Sequence, residues 1–325
     1  MTTTLSKLNR KFNAMKRNNI VACLLMLISI NPLRIFAQSD TKTDEKILTF
    51  LNAFQSDYIK SISGKNPGAI QHYYDNNIRL MTEFQRTVIG LANVVHYYKA
   101  LASRFTIVAY NRERTDVLDM GRMVAEQGLF TMTMESKKTG KEHLVKGKYL
   151  NIWEKTHAGN MLLITEGWNY NQQLDLRDQL RFDEVPVVDV ALQPHLPVND
   201  NVRLNLAALN RLIEATVTQH DVAIWSLMYA DSSILLAQGH DPYVGKNAVD
   251  GYLERHVREL PVFEKLDIRN DRIDDLGNYV IEYASHIASW RSGEYSGVGL
   301  GKDLRIWKRE SDGSLKIFRH IGMYD

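Results

Sequence analysis

Three ionisable side chains in the C-terminal half of the chain have the types and spacing for acid–base chemistry. Glu282 and His286 share one parity with the apolar residues of the segment 280–290, and His256 lies on the apolar face of a predicted helix. Residues of one parity face the same side of a strand, so both are expected in a sheet interior. Burial favours the neutral forms of carboxyl and imidazole groups, which suits proton exchange with a bound molecule. Glu282 and His286 are therefore catalytic candidates, although about 13 Å of strand separates them and prevents direct contact.

A wider set of residues is expected to line a ligand pocket. Tyr252 or Tyr283 could donate a hydrogen bond to an enolate oxygen. The predicted lining combines a histidine, a carboxylate and four aromatic residues: His256, Tyr252, Trp290, Glu126, Phe130 and Tyr98. The alternative interpretation is structural. In it, Glu126 and Glu282 bind main chain or arginine in both halves of the chain, and the histidines are hydrogen-bonded core residues.

Composition excludes several other chemistries. The 325 residues include one cysteine, Cys23, and beyond it there is no thiol for a disulfide, a zinc site or a nucleophile. The histidines lack the spacing of a metal-binding pair, so no metal is expected. The segment 297–302 resembles a phosphate-binding loop, but a P-loop enters a helix through Gly-Lys-Ser/Thr, and here Asp303 opens a predicted strand. We expect no cofactor.

The first 37 residues have the features of a secretory signal peptide. They contain six basic residues and no acidic one, and an eleven-residue stretch from Ile20 to Ile30, apolar except for Ser29, precedes a small-residue stop. Cleavage is expected between Ala37 and Gln38. A transmembrane anchor would need about 20 apolar residues, and Pro32 ends this run too early. A lipoprotein signal is also disfavoured, because the apolar run follows Cys23 instead of preceding it.

Removal of this leader changes the expected properties of the protein. The net charge of +2 becomes −4, because 34 basic residues then face 38 acidic ones. Without basic clusters, a nucleic-acid partner is not expected. A cysteine-free mature chain with large domains fits a bacterial exported protein. We expect the periplasm as the compartment, with release from the cell as the second choice and no stable membrane anchor.

The helices and strands that would position these side chains occur twice, because the chain repeats itself at an offset of 154 to 156 residues. Residues 147–171 align without a gap on residues 301–325, and seven of the 25 pairs are identical, including Trp153 with Trp307. The predicted organisation is a signal peptide (1–37), a first domain (38–171), a proline-containing linker (172–202) and a second domain (203–325). Within the linker, a short extended stretch is expected from Val185 to Val190.

Each copy shows the same order of predicted elements. An amphipathic helix comes first, with Ile47, Leu51 and Phe54 at helical spacing in the first copy. A short helix, a strand and a third helix follow, and strands continue to the end of the copy. The turn at Asp312-Gly313 predicts that the last two strands form a hairpin. Helices followed by an antiparallel meander predict an α+β class with two cone-shaped domains, each a curved antiparallel sheet wrapped around its N-terminal helices.

This plan resembles the nuclear transport factor 2-like superfamily, and most closely its SnoaL-like branch. The residues that carry the resemblance are the helix segment at 243–253 and the closing strands at 304–317. The resemblance covers nearly all of the second copy and, more weakly, the first. It implies a cone-shaped fold with an apolar pocket at its open end. Members include isomerases, dehydratases, cyclases and epoxide hydrolases as well as proteins that only bind ligands or other proteins, so the fold alone does not identify the chemistry.

Three functions remain in competition at this stage. The first is binding of a small apolar or amphipathic ligand in a cone-shaped pocket. The second is cofactor-free acid–base catalysis of the isomerase, cyclase or dehydratase kind, with Glu282 and His286 of the second copy. The third is a protein-interaction scaffold in which the two copies pair with each other through the outer faces of their sheets. Further homo-oligomerisation is compatible with each of them.

Overall fold

The described part of the chain repeats one arrangement of helices and strands. The structure, a computed structural model, describes residues 44–64, 66–157 and 159–325, and these belong to one compact unit. The predicted leader and its cleavage site at Ala37 and Gln38 lie outside the described residues. In the described ranges, no helix has the length and apolarity needed to cross a membrane.

The first copy of the repeat, called the first half below, contains two α-helices and six strands. Its elements are α1 (Glu45–Ser63), a 3-10 helix (Pro67–Tyr73), β1 (Tyr74–Thr82), β2 (Val88–Ile89), α2 (Leu91–Arg104), β3 (Phe105–Asp119), β4 (Met123–Ser136), β5 (Glu142–Lys155) and β6 (Met161–Tyr170). The strands form one sheet in the order β2-β1-β6-β5-β4-β3. Neighbouring strands are antiparallel except β1 and β6, which are parallel.

The second half has the same order of elements and the same sheet. They are α3 (Asn201–Thr218), α4 (Val222–Ser226), β7 (Tyr229–Leu236), β8 (Tyr243–Val244), α5 (Lys246–Glu259), β9 (Val262–Asp275), β10 (Tyr279–Ser292), β11 (Tyr295–Arg309) and β12 (Leu315–Tyr324). The sheet order is β8-β7-β12-β11-β10-β9, with β7 and β12 parallel. The α+β class is confirmed. The sheets are mixed instead of wholly antiparallel, because the last strand of each meander returns beside the first strand in the same direction.

Local sequence explains where the helices begin. A side-chain oxygen of Asp44 accepts a hydrogen bond from the first turn of α1 at 2.9 Å, and Asp200 caps α3 in the same way at 2.8 Å. Helices α2 and α5 each follow a glycine with positive φ, 95° at Gly90 and 82° at Gly245. Only glycine adopts this conformation without strain, so the two glycines mark the same turn in both halves.

The inner face of each sheet packs on the helices of its own half. In β4, the even-numbered Val124, Phe130 and Met132 belong to the core of the first half, as the alternation of the sequence predicts. In β10, Val280 and Ala284 occupy the corresponding face of the second half. Strand alternation therefore identifies correctly which residues face each interior.

The outer faces of the two sheets share a third hydrophobic cluster. It contains Leu150 and Ile152 of β5 together with Leu304 and Ile306 of β11, which are equivalent positions in the repeat. Each half therefore buries apolar side chains on both faces of its sheet. Such burial is the largest favourable contribution to folding.

The segment between the halves, residues 171–200, is called the connecting segment below, and it contributes six buried residues between Leu176 and Ala191. It contains two short 3-10 helices, Arg177–Gln179 and Val190–Leu192. Within the predicted extended stretch, Val188 forms an isolated antiparallel bridge with Thr87. The predicted domain boundaries at 38–171, 172–202 and 203–325 stay a prediction, while β6 ends at Tyr170 and α3 begins at Asn201.

Candidate functional site

The two halves differ in how much space their interiors enclose. A cavity of about 1050 Å³ opens into the second half, whereas the cavity found inside the first half measures about 30 Å³. The smaller volume is close to that of a single water molecule. The second half is therefore the part of the described chain with room for a small organic molecule, since ligand pockets typically measure about 300–1,000 Å³.

A replacement at one pair of equivalent positions contributes to this difference. Trp168 lies in the small cavity of the first half, while Gly322, its equivalent at an offset of 154, lies in the wall of the large cavity. A Cβ atom added to Gly322 would have no heavy atom nearer than 3.4 Å. The Trp168 indole thus occupies space in the first interior. At the equivalent position in the second, Gly322 has no side chain and leaves the space open.

Much of the cavity wall in the second half is apolar and aromatic. Its large side chains come from α4, α5, β9 and β10 and the turn between α5 and β9: Trp225, Tyr252, Leu260, Phe263, Leu266 and Trp290. The rings of Tyr252 and His256 stack with centroids 5.0 Å apart. Burial lowers the pKa of His256 and raises that of Tyr252, so both groups stay uncharged at neutral pH. This wall suits an apolar molecular surface.

A polar cluster forms another part of the cavity wall, on three adjacent strands. Asp303 of β11 interacts with three side chains: His286 Nδ1 of β10 at 3.1 Å, His320 Nε2 of β12 at 2.8 Å, and Arg305 Nη2 at 2.9 Å. All four residues line the cavity. Three nitrogen groups converge on one carboxylate, so the cluster has little room for a cation. In the described residues, no group of three or more His, Cys, Asp or Glu side chains is arranged to hold a metal ion.

The environment of Asp303 keeps its carboxyl group ionised. Burial alone would raise its pKa, but the Arg305 guanidinium and the hydrogen bonds from His286 and His320 hold the pKa well below its usual range. Burial lowers the pKa of His320, so its imidazole is neutral at neutral pH. Its Nδ1 then accepts a hydrogen bond from the Tyr229 hydroxyl at 2.9 Å while its Nε2 donates to Asp303.

The hydrogen bond to Asp303 selects the tautomer of His286 whenever its ring is neutral. Its Nδ1 donates to the Asp303 carboxylate, so Nε2 is the nitrogen that carries the lone pair. The side chain is 20% exposed, and Nε2 makes no hydrogen bond within the described part of the chain. The ring lies over Gly301, where a Cβ atom would collide with it. His286 is thus an oriented ring that lines the cavity and whose Nε2 has no hydrogen-bond partner in the described residues.

Glu282, the second catalytic candidate, lies deeper than the cavity wall. It has no exposed surface and accepts hydrogen bonds from Trp307 Nε1 at 2.8 Å and from Asn210 and Asn270, each at 2.7 Å. Arg305 Nη1 lies 3.3 Å from Glu282 Oε2, the oxygen that also accepts the hydrogen bond from Trp307. The structure therefore does not bring Glu282 and His286 together; Glu282 holds the guanidinium that in turn binds Asp303.

Glu126 occupies the equivalent place in the first half. Trp153 Nε1 donates to it at 3.2 Å, and Arg114 Nε lies 3.1 Å away. Like Glu282, it does not line a cavity. Both glutamates bind the indole of the tryptophan that recurs in the repeat, and each also lies beside an arginine, Arg114 or Arg305.

The remaining predicted pocket residues divide between the halves. His256, Tyr252 and Trp290 line the large cavity. Phe130 and Tyr98 line the small one, where the Tyr98 hydroxyl donates to Glu166 at 2.8 Å. Tyr283, the alternative donor to an enolate, belongs to the hydrophobic cluster between the sheets and not to either interior.

Four residues of the polar cluster were not identified from the sequence: Tyr229, Asp303, Arg305 and His320. A signal for two of them exists in the repeat. Tyr74 donates to Glu166 at 3.0 Å in the first half, and the equivalent positions in the second half hold Tyr229 and His320. The gap-free alignment of residues 147–171 on 301–325 pairs Glu166 with His320, so this polar pair was visible in the sequence.

Both halves have the same element order, mixed six-stranded sheet and helix-covered inner face, an arrangement similar to the fold of nuclear transport factor 2-like proteins. No family model matches the sequence, and no curated protein is similar to it at a significant level. The three solved structures described next each cover about two fifths of the chain, the length of one half.

Three of these structures illustrate the similarity. A ketosteroid isomerase-like protein from Erwinia carotovora atroseptica is 14% identical, with 40% of this chain and 100% of that chain covered and a TM-score of 0.37. An NTF2-like protein from Cytophaga hutchinsonii is 13% identical over 39% and 99% of the two chains, with a TM-score of 0.32. A putative scytalone dehydratase from Novosphingobium aromaticivorans is 8% identical over 40% and 87%, with a TM-score of 0.35. At these values the matches add nothing about activity.

Proposed function

We propose that the second half binds a small amphipathic molecule, while the interior of the first half has a structural role. The observation that carries this proposal is the cavity of about 1050 Å³, whose wall combines aromatic side chains with one polar cluster. Burying apolar ligand surface against such a wall contributes most of the binding free energy, and a few fixed polar groups orient the ligand. The cluster around Asp303 supplies those groups.

The proposal is tested by filling the second interior in the way the first is filled. In Gly322→Trp, the new indole should occupy the cavity as Trp168 does in the first half. We expect the wild-type protein to bind the neutral apolar dye N-phenyl-1-naphthylamine with a saturable rise in fluorescence. The variant should bind it at least about tenfold more weakly, because the displaced apolar contacts are worth more than about 1.4 kcal/mol.

Leu144→Trp is the matched control, since Leu144 is 58% exposed on β5 of the first half. It adds the same indole outside the cavity and should leave dye binding unchanged. Circular dichroism spectra of the three proteins establish that the fold is retained. Absence of dye binding by the wild type, or undiminished binding by a folded Gly322→Trp variant, would contradict the proposal.

The His286–Asp303 pair favours a second candidate function, cofactor-free proton transfer. Its geometry gives His286 Nε2 a lone pair and gives the imidazolium that forms on protonation a carboxylate partner 3.1 Å away. In such a reaction, Nε2 would take a proton from a carbon next to a ligand carbonyl, and a hydrogen-bond donor would stabilise the enolate oxygen. Tyr252, in the same cavity wall, is the candidate donor.

Deuterium exchange into a simple ketone tests this second candidate. 2-Tetralone in D₂O exchanges its acidic C–H hydrogens, and proton NMR follows the loss of their signal. We expect the wild type to exceed the buffer rate and His286→Gln to lose about 10²-fold or more of that excess. His96→Gln, an exposed histidine of α2, should behave as the wild type. A wild-type rate equal to that of buffer would rule out proton abstraction from this ketone and would leave ligand binding as the function.

A further inference from the structure

Part of the cavity wall in the second half comes from outside that half. Arg86, from the loop between β1 and β2, and Arg177 and Arg181, from the connecting segment, all line the cavity. These three residues are called the arginine rim. Arg177 and Arg181 are exposed, so their guanidinium groups lie where the cavity meets solvent.

The main chain that carries the rim is held firmly in place. Gln85 donates to the carbonyl oxygen of Phe182 at 3.1 Å and accepts from its N–H at 2.9 Å. The Phe182 ring is fully buried and contacts Tyr97 at a centroid distance of 5.0 Å. In addition, Arg104 donates to the carbonyl oxygen of Arg181 at 2.6 Å. The main chain at Arg86 and Arg181 is therefore held beside the cavity before any ligand binds, which lowers the entropic cost of binding.

The positive charges of the rim are only partly neutralised. Arg86 forms an ion pair with Asp189 at 3.1 Å. Arg177 makes a single weak hydrogen bond, to the main-chain oxygen of Asp325 at 3.4 Å. Among the described residues, Arg181 has neither a side-chain hydrogen bond nor an ion pair.

The carboxylates that line the same cavity do not balance these charges. The Asp325 carboxylate is bound to Lys302, and Asp303 is bound within the polar cluster. Glu83 is buried against Gln238 and the main chain of Tyr170, and burial raises its pKa to about 7. Within the described chain, Glu259 is the one carboxylate of the cavity wall that makes no hydrogen bond or ion pair. Two guanidinium groups, those of Arg177 and Arg181, have no ion-pair partner in the same part of the chain.

We propose that Arg177 and Arg181 bind an anionic group of the cavity ligand, so that the ligand is an organic anion with an apolar body. A guanidinium group offers paired N–H donors that match the oxygen atoms of carboxylate, sulfonate or phosphate groups. The apolar body would lie against the aromatic wall, and the anionic group would lie at the rim. This inference rests on the proposed function and assigns the connecting segment a part in specificity.

Two dyes of nearly the same shape separate the inference from the proposed function. 1-Anilinonaphthalene-8-sulfonate carries a sulfonate on the framework of the neutral N-phenyl-1-naphthylamine. We expect the double variant Arg177→Gln, Arg181→Gln to bind the sulfonate dye about tenfold more weakly than the wild type. The expected loss of affinity is modest because both guanidinium groups are exposed and solvent weakens their ion pairs. Binding of the neutral dye should change less than about twofold.

Arg258→Gln, Lys265→Gln is the matched control, because it removes two exposed positive charges of the second half that do not line the cavity. It should leave the binding of both dyes unchanged. Equal losses for both dyes in the rim variant, or no loss for the sulfonate dye, would overturn the inference while the proposed function stands. If the wild type binds neither dye, the proposed function and the inference both fail.

Discussion

At the residue scale, the sequence identified the inward faces of the strands but not the depth of each side chain. Glu282 and His286 both lie on the inner face of β10, as alternation predicts. Only His286 reaches the cavity, while Glu282 is enclosed by Trp307 and two asparagines. Parity along a strand is a local property, but depth depends on which side chains arrive from α3, β9 and β11. A single strand therefore could not reveal that the two groups differ in role.

His320 should make the stability of the protein depend on pH. Burial lowers its folded-state pKa below the ordinary value of 6.5, so the unfolded chain takes up a proton first as the pH falls. The free energy of unfolding should therefore decrease below about pH 6.5, by at most about 1.4 kcal/mol per pH unit for this group. The pKa of Asp303 is low, so its carboxylate remains ionised and contributes stability throughout this range.

Urea unfolding between pH 7.5 and 5.0 measures this effect. In His320→Gln, the decrease in the free energy of unfolding should be smaller than in the wild type, because the proton-binding group is absent. The titratable and charged groups that act on His320 are Asp303, Tyr229, Arg305 and Glu282, and the variant leaves all four in place. The same decrease in both proteins would mean that other groups cause the acid sensitivity.

At the scale of elements, the connecting segment differs most from what its sequence indicates. Its prolines and its lack of periodicity predict a linker, yet Leu176, Leu180, Phe182 and Val185 belong to the hydrophobic core of the first half. Isolated apolar residues among charged ones give no periodic signal, since the chain crosses the core without forming a regular element. The helices and long strands could be predicted because each has a regular period.

Phe182→Ala should destabilise the first half strongly. The ring is fully buried against Tyr97, so its removal should cost about 3–5 kcal/mol through lost apolar contacts and a residual cavity. Urea denaturation followed by circular dichroism measures the change. Leu192→Ala is the control, since Leu192 lies in the same segment and is 58% exposed; it should change the stability by less than about 0.5 kcal/mol. Equal effects of the two substitutions would show that the segment is not part of the core.

At the scale of the whole molecule, the two halves share one interface and have different interiors. Asp116 of β3 and Asp271 of β9 lie on equivalent strands, one residue apart in the repeat, and each forms an ion pair with an arginine of the other half, Arg319 and Arg79 respectively. The two arginines are not equivalent, because Arg79 lies on β1, the first strand of its half, whereas Arg319 lies on β12, the last strand of its half. The tandem therefore keeps a common outer surface while one interior is filled and the other is open.

The sequence by itself determined the tandem repeat, the α+β class, the order of the elements and the inward faces of the strands. These properties follow from periods and spacings along the chain, which are local. Only the tertiary structure decided that the second interior is hollow, that Asp303 brings His286 and His320 together, and that Arg177 and Arg181 reach the cavity. These features depend on contacts between β10, β11, β12 and the connecting segment, which are distant in sequence and meet only when the sheet and its core are complete.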